Sequence, residues 1–224
     1  MTVAEEYARR RKSIPDKDRQ TFRRELIWRD FNHHLLYHFQ KLGTDNFNPR
    51  FNKLKWRNVA GDLKKWQTGQ TGYPIVDAGM RQLWQMGWMH NRVRMIVGSF
   101  LTKDLLIDWR EGEAWFWDTL VDGDEANNTS QWQWIAGTGA DAQPFFRIFN
   151  PIKQSRDFDP EGDYIRSFVP ELSDLPNEAI HAPWEANGDT LKKAGVALGK
   201  TYPRPIVEHK EARDRANAAF QATR

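Results

Sequence analysis

Apolar residues recur along this chain at helical rather than alternating intervals. Between Asp18 and Gly43 they fall at Phe22, Leu26, Phe31, Leu35, Phe39 and Leu42, which predicts a long amphipathic helix stopped by Gly43. Pro74 stands where a helix begins, and Ile75, Val76, Met80, Leu83 and Trp84 follow at helical spacing up to Gly87, so a second helix is expected there. Val93, Ile96, Val97, Phe100 and Leu101 carry the same pattern into a third, and "REGEAWFWDTLVDG" predicts a short fourth closing at Gly123. The segment between Gly43 and Gly72 has no sustained period and predicts loops with short helical pieces. "DGDEANNTSQWQW", Asp122 to Trp134, is expected to be a loop, because Asp, Gly and Asn side chains bond locally to the backbone and tolerate left-handed geometry. Beyond Pro144 the texture becomes punctuated, with Pro170, Pro176 and Pro183 forbidding a long helix. The tail from Pro205 returns to helix-forming composition. No stretch alternates convincingly and no repeat appears, so the predicted fold class is all-α.

Composition adds one anomaly. The 11 Trp outnumber the 5 Tyr, and indoles serve core packing, base stacking and the flat rings of cofactors equally well. The formal charge is +3 with a pI near 9.1, which permits a phosphate-binding face without establishing one. The absence of Cys excludes disulfides, thiolate-held zinc and thiolate-held iron–sulfur clusters. No apolar run approaches the roughly 18 residues that span a bilayer, the mean hydropathy is −0.78, and the start lacks the apolar core of a signal peptide. A soluble, cytoplasmic protein with no membrane contact is the expectation.

Several candidate sites dissolve on inspection. His34 and His38 are four apart beside His33, but the Glu of an H-E-x-x-H site is replaced by Leu35, so no metal is expected. "DGDEAN" opens like a calcium loop and then puts Asn127 where Gly is required. "GTGADA" has no strand before it and Pro144 soon after. Arg92 and Arg94, and Arg23, Arg24 and Arg29 beside Glu25 and Trp28, read as solvated faces with ordinary ion pairs or as a surface that holds phosphates and stacks a base. Spacing does not choose between these, nor does it align Trp56, Trp109 and Trp132, for which core packing is the ordinary expectation.

A resemblance goes further. At "ELIWRDF", at "WQTGQTGYPIVDAGMRQLWQMGWMHNRVRMIVGSFLTKDLLIDWREGE", at "DGDEANNTSQWQW" and at "GTGADAQPFFRIFNP" the chain closely resembles DNA photolyases of the photolyase/cryptochrome family. The likeness is ordered and runs from about Glu25 into the tail, covering only the C-terminal, helical, flavin-binding part of such enzymes. It implies a basic, polar leader over 1–24 and a partial FAD-binding helical domain over 25–224, incomplete at its N-terminus. The N-terminal α/β domain, its antenna chromophore and the Ser/Thr-rich loop that grips the FAD phosphates are not matched, so the resemblance also admits a separate chain that supplies the missing half.

Carried over position by position, the resemblance implies FAD contacts from Phe22, Glu25, Asn91, Arg94, Asp122, Asp124 and Asn128, with Arg94 partnering Asp122 and Asn128 facing flavin N5. It implies electron transfer along Trp132, Trp109 and Trp56, from flavin to surface. It implies lesion or DNA contacts from Glu25, Trp28, Arg29, Asn91, Arg92, Met95, Trp134 and Gln154. The implied partner is DNA damaged by pyrimidine dimers, and the implied reaction is light-driven splitting of the cyclobutane ring by an electron from reduced FAD. "MHN" stands where enzymes for the (6-4) photoproduct carry paired histidines, which favours the cyclobutane dimer. A cryptochrome-like blue-light sensor and an inactive nucleic-acid-binding fragment are the alternatives.

Overall fold

The computed structural model describes residues 14–145 and 147–223 together with Glu6, Arg10 and Arg11; much of the expected 1–24 leader lies outside them. Helix α1, Asp16–His38, starts with Asp16 and Asp18 in its first turn and ends with His38, charges placed to suit the helix dipole. It stops before Gly43, where the periodicity had placed its end. The reason is tertiary. The buried Gln133 amide donates to the carbonyls of Leu42 (2.7 Å) and Asp45 (3.0 Å) and accepts from the Phe47 N–H at 2.8 Å, so these backbone groups serve a tied loop and not another helical turn. The helix is also less amphipathic than its sequence suggests: within it only Asn32 and Leu35 are buried, and Phe22 stays exposed.

A 3₁₀ turn, Pro49–Lys53, and helix α2, Ala60–Gln67, follow. Helix α3, Pro74–Met86, has Pro74 at its start and Gly87 left-handed (φ 63°) at its end, as its sequence predicts. Helix α4, Asn91–Ser99, does not continue regularly but widens into a π turn at Phe100–Asp104. This bulge buries Lys103, whose ammonium donates to the Ala136 carbonyl and lies 3.4 Å from the centre of the Phe145 ring. Burial pushes that ammonium well below the usual lysine range.

Helix α5, Trp109–Thr119, closes earlier than Gly123, because the Val121 N–H turns back to the Gly87 carbonyl (2.9 Å). The expected loop at 122–134 is the largest correction. Glu125–Ala136 is helix α6, with the Asp124 side chain accepting from the Asn127 N–H as N-cap and Gly137 left-handed (φ 80°) beyond its end. Local bonding by Asp124 starts this helix where it was expected to hold a turn, which is the double role such side chains have.

The C-terminal third consists of short pieces, α7 (Pro151–Phe158), α8 (Asp163–Phe168), α9 (Asn177–Ile180) and α10 (Gly188–Lys193) with two 3₁₀ turns, and then α11, His209–Gln221. Among the described residues there is no strand beyond one isolated bridge, Leu198 with Tyr202. The all-α expectation holds. The main core lies between α3, α4, α5 and α6, built on Trp66, Met80, Leu83, Val97, Phe100, Trp109 and Trp132. A smaller one stacks Phe51, Phe145 and Phe220, which docks α11. Polar pins close the assembly: Arg81 binds Glu171 through two hydrogen bonds (2.8 and 2.9 Å), and buried Asp77 accepts from Thr71, Gly72 and the Tyr202 hydroxyl. Four donors on one carboxylate satisfy the group that burial would otherwise penalise. No described helix is long and apolar enough to cross a membrane.

Candidate functional site

A cavity of about 520 Å³ opens between α1, α4 and α6, within the size range of cofactor and ligand sites. Three sequence patterns build its walls. On α1, Glu25, Trp28, Arg29 and Asn32 lie at helical spacing on one side. On α4, Asn91, Arg94, Met95 and Gly98 follow the same period. The loop after α5 and helix α6 add Asp122, Asp124, Asn127, Asn128, Gln131, Trp132, Trp134 and Ile135. Gly98 allows α4 and α6 to approach closely, since a Cβ there would stand 3.2 Å from Ile135.

The positions singled out in the sequence therefore divide clearly. Glu25, Trp28, Arg29, Asn91, Arg94, Met95, Asp122, Asp124, Asn128, Trp132 and Trp134 share this cavity. Phe22 lies one turn before Glu25 on α1 and is exposed. Arg92 turns from the cavity to stack over Phe158, 4.3 Å from the ring centre, and Gln154 sits on α7 with a buried Oε1 that has no protein partner. Trp56 and Trp109 stand behind the walls, in or against the cores.

Electrostatics at the rim are organised by a few pairs. Arg94 Nη2 binds Asp122 at 3.0 Å while its Nε donates to the Met89 carbonyl at 2.7 Å, which is the pairing the resemblance implied. Asp124 Oδ1 caps α6, and its Oδ2 faces His33 Nε2 at 3.2 Å. Asn127 donates to Asp124 and accepts from Asn32 Nδ2 (2.8 Å), tying α1 to α6.

Asn128 is oriented from behind. Its Nδ2 donates to both the backbone carbonyl (3.0 Å) and Oε1 (2.9 Å) of Glu113, and Thr129 donates to the same Oε1. With the amide nitrogen engaged on α5, the amide oxygen of Asn128 has no hydrogen-bond donor among the described residues, and Asn128 lines the cavity. Burial raises the Glu113 carboxyl above its ordinary range, against the two side-chain bonds that lower it. Sequence reasoning missed Glu113, and also Asn32, Asn127, Gln131 and Gln133. The only signal for Glu113 was an acidic residue within a helix that also carries four aromatic residues, Trp109, Trp115, Phe116 and Trp117.

Separate contacts seat each of the three indoles. Trp132 packs edge-on against Phe116 (4.9 Å) and Trp66 (6.1 Å), and its ring covers Gly112, one turn beyond Trp109 on α5. Trp109 is fully buried, and its Nε1 donates to Asn46 at 2.9 Å. Arg57 N–H bonds to the Leu106 carbonyl (2.8 Å) and Asp108 N–H to Asn58 Oδ1 (2.9 Å), which laces the chain around Trp56 to the turn that enters Trp109. Trp56 itself is partly exposed. Among the described residues no cluster of His, Cys, Asp and Glu is arranged to hold a metal.

Comparison with known proteins agrees with this geometry. The family model "FAD binding domain of DNA photolyase" matches residues 22–222. The chain is 62% identical over 211 residues to deoxyribodipyrimidine photo-lyase of Agrobacterium fabrum, covering 94% of this chain and 44% of the relative. It is 54% identical to the protein of that name from Escherichia coli, covering 89% and 41%. Among solved structures, a bacterial class III photolyase from Agrobacterium tumefaciens superposes with a TM-score of 0.92 at 61% identity, over 95% of this chain and 44% of that one. A Synechocystis cryptochrome superposes at 0.89 with 37% identity, over 96% and 44%. The chain thus spans less than half the length of these relatives. With a family match across nearly all of the described residues, this chain belongs to the DNA photolyase family, as its FAD binding domain.

Proposed function

We propose that this chain forms the flavin-holding and lesion-receiving part of a light-driven repair enzyme for cyclobutane pyrimidine dimers in DNA. The observation that carries the reading is the convergence of residues from Glu25 to Trp134 on one cavity lined by both polar side chains and indoles. The donor set fits FAD. A guanidinium–carboxylate pair stands at the rim, and the Asn128 oxygen has no hydrogen-bond donor among the described residues, as an acceptor for a flavin N–H requires. FAD held there would supply the photochemical one-electron transfer on which ring opening depends.

The chain's own side chains hold, orient and exclude. Arg94 fixes Asp122, Glu113 fixes the amide of Asn128, and together with Glu25, Asn91 and Asp124 these residues would hold the FAD. Trp28, Met95 and Trp134 offer apolar faces to a pyrimidine dimer extruded from the duplex, the route photolyases share with other enzymes that act on flipped bases. Arg29 at the cavity, and Arg92 and Gln154 outside it, are the positions proposed for contacts with DNA. Trp132, Trp109 and Trp56 form the path by which bound flavin is photoreduced. The proposed site of action is cytoplasmic DNA.

Visible absorption after incubation with FAD and gel filtration tests the pocket. Flavin bands that persist and bleach in blue light with a reductant are expected, followed by light-dependent loss of dimers from irradiated DNA. A colourless chain refutes the proposal. The likeness to a cryptochrome motivates the second reading, a blue-light sensor, which is favoured if flavin photoreduces while dimers persist. Trp109→Phe is expected to slow photoreduction of bound flavin severely; an unchanged rate excludes the indole path.

A further inference from the structure

The surface at Trp56 has a charge pattern unlike the rest of the molecule. Between positions 45 and 62 the chain carries Arg50, Lys53, Lys55 and Arg57 and no carboxylate. Elsewhere the cations are commonly neutralised in place, as in Arg94–Asp122, Arg110–Asp108, Arg81–Glu171 and Lys153–Asp157. Lys53, Lys55 and Arg57 are exposed and, among the described residues, form no ion pair. Trp56 stands between them, wedged against both cores with part of its ring open to solvent.

The neighbouring elements strengthen the field. On α11 Arg215 lies close enough to Arg57 for the two cations to repel, which lowers the Arg215 guanidinium together with burial. Asp62 and Glu211 attract Arg215, Asp108 is engaged by Arg110, and Asp104 is buried against His209.

We infer that the cationic rim of Trp56 is an entry point for small anionic one-electron donors, with the ascorbate monoanion as the type. The inference rests on the reading of Trp56 as the outer end of the indole path. When an electron has been drawn inward along that path, the Trp56 indole is left as a radical cation. The donor anion gives up one electron, the indole returns to its neutral closed-shell form, and the oxidised ascorbate sheds its proton to water as a radical. Three unpaired cations raise the local concentration of an anion by on the order of threefold at moderate salt, and steering of this kind acts on the encounter rate.

Two measurements test it. In the full chain labelled with 5-fluorotryptophan, the Trp56 resonance is assigned by Trp56→Phe, and its broadening by a carboxylate nitroxide is compared with that by an ammonium nitroxide. An anion-to-cation ratio on the order of threefold above that of Trp84, which is also exposed, is expected. It should collapse in about 0.5 M salt, where the Debye length is on the order of 4 Å, and in K53Q/K55Q/R57Q, but survive in K53R/K55R. A ratio equal to that of Trp84, or one untouched by the triple variant, overturns the inference.

In the FAD-loaded chain, flash photolysis reads the decay of the indole radical. Ascorbate should act on the order of threefold more slowly on the triple variant, and neutral hydroquinone should act equally on both. If the radical forms through Trp56 but decays without regard to donor charge, the donor site is refuted while the path stands. If Trp56→Phe leaves radical yield and lifetime unchanged, the path itself fails and the donor site with it. Loss of DNA affinity in the triple variant with donor selectivity intact assigns the surface to nucleic acid instead and overturns the inference.

Discussion

Gly112 offers a substitution in which two physical rules predict opposite signs. It lies inside α5, where Ala is ordinarily better than Gly by about 1 kcal/mol because it freezes less backbone freedom. In this structure, however, a Cβ at position 112 would stand 2.2 Å from Cη2 and 2.5 Å from Cζ3 of Trp132, and 2.6 Å from Cδ2 of Leu101. Ordinary carbon contacts are about 3.5–4.0 Å, so the neighbours must retreat by more than about 1 Å. Trp132 has nowhere to go: it is 4% exposed and held between Phe116 and Trp66. Overpacking of this kind costs about 1–3 kcal/mol and occasionally more. The tightness of this site places Gly112→Ala at the upper end, for a net loss of about 2 kcal/mol after the propensity gain.

The control is Gly61→Ala on α2, where an added Cβ meets nothing within 4 Å. It should gain roughly 0.5–1 kcal/mol. Urea denaturation followed by far-UV circular dichroism reads both as midpoint shifts at unchanged slope, and near-UV dichroism should change only for Gly112→Ala because the indole rotates. A Gly112→Ala protein as stable as the parent would show that Trp132 is not seated on α5 as described. That result would also remove the contact that sets Trp132 one turn from Trp109.

Other expectations follow from the same contacts. Glu113→Leu removes the Oε1 shared by Asn128 and Thr129 and should cost about 1–2 kcal/mol together with FAD retention, while Glu113→Gln keeps an acceptor and should lose less than half as much; equal losses refute the positioning role. Arg94→Ala should change stability by less than about 1 kcal/mol, since the pair with Asp122 is partly solvated, yet weaken FAD retention at least on the order of tenfold, because an orphaned carboxylate at the rim faces the ligand; gel filtration with FAD decides. Burial lifts the Asp104 carboxyl to about 6. The folded chain therefore keeps a proton that the unfolded chain releases near 3.9, so this contribution is complete below about pH 4 and is lost as pH rises through about 6. At about 1.4 kcal/mol per pH unit the loss is about 3 kcal/mol. Asp104→Asn should flatten the stability-versus-pH curve of the parent between those limits, and an unchanged slope refutes the assignment.

What could be read from the chain alone is what local chemistry controls. The limits of α3 follow from Pro74 and Gly87, residues whose backbone preferences act without neighbours. The all-α class follows from apolar spacing, and the family from long ordered motifs. Asp124 and Gly137, which bound α6, were equally local, but the polar side chains between them were taken for turn formers because their alternative, capping, shows only when a helix has something to pack on.

Tertiary structure decided the rest, because the deciding contacts join residues far apart in sequence. The end of α1 depends on one buried amide, Gln133, which is distant in sequence and adjacent in space. The direction of the Asn128 oxygen depends on Glu113 from another helix. The seating of Trp132 on α5 depends on the missing side chain at Gly112, and two bonds between residues 57–58 and 106–108 join the segment at Trp56 to the turn before Trp109. Periodicity states which face of an element is apolar. Only packing determines which face it meets, and a site made from several helices exists only after those meetings are fixed.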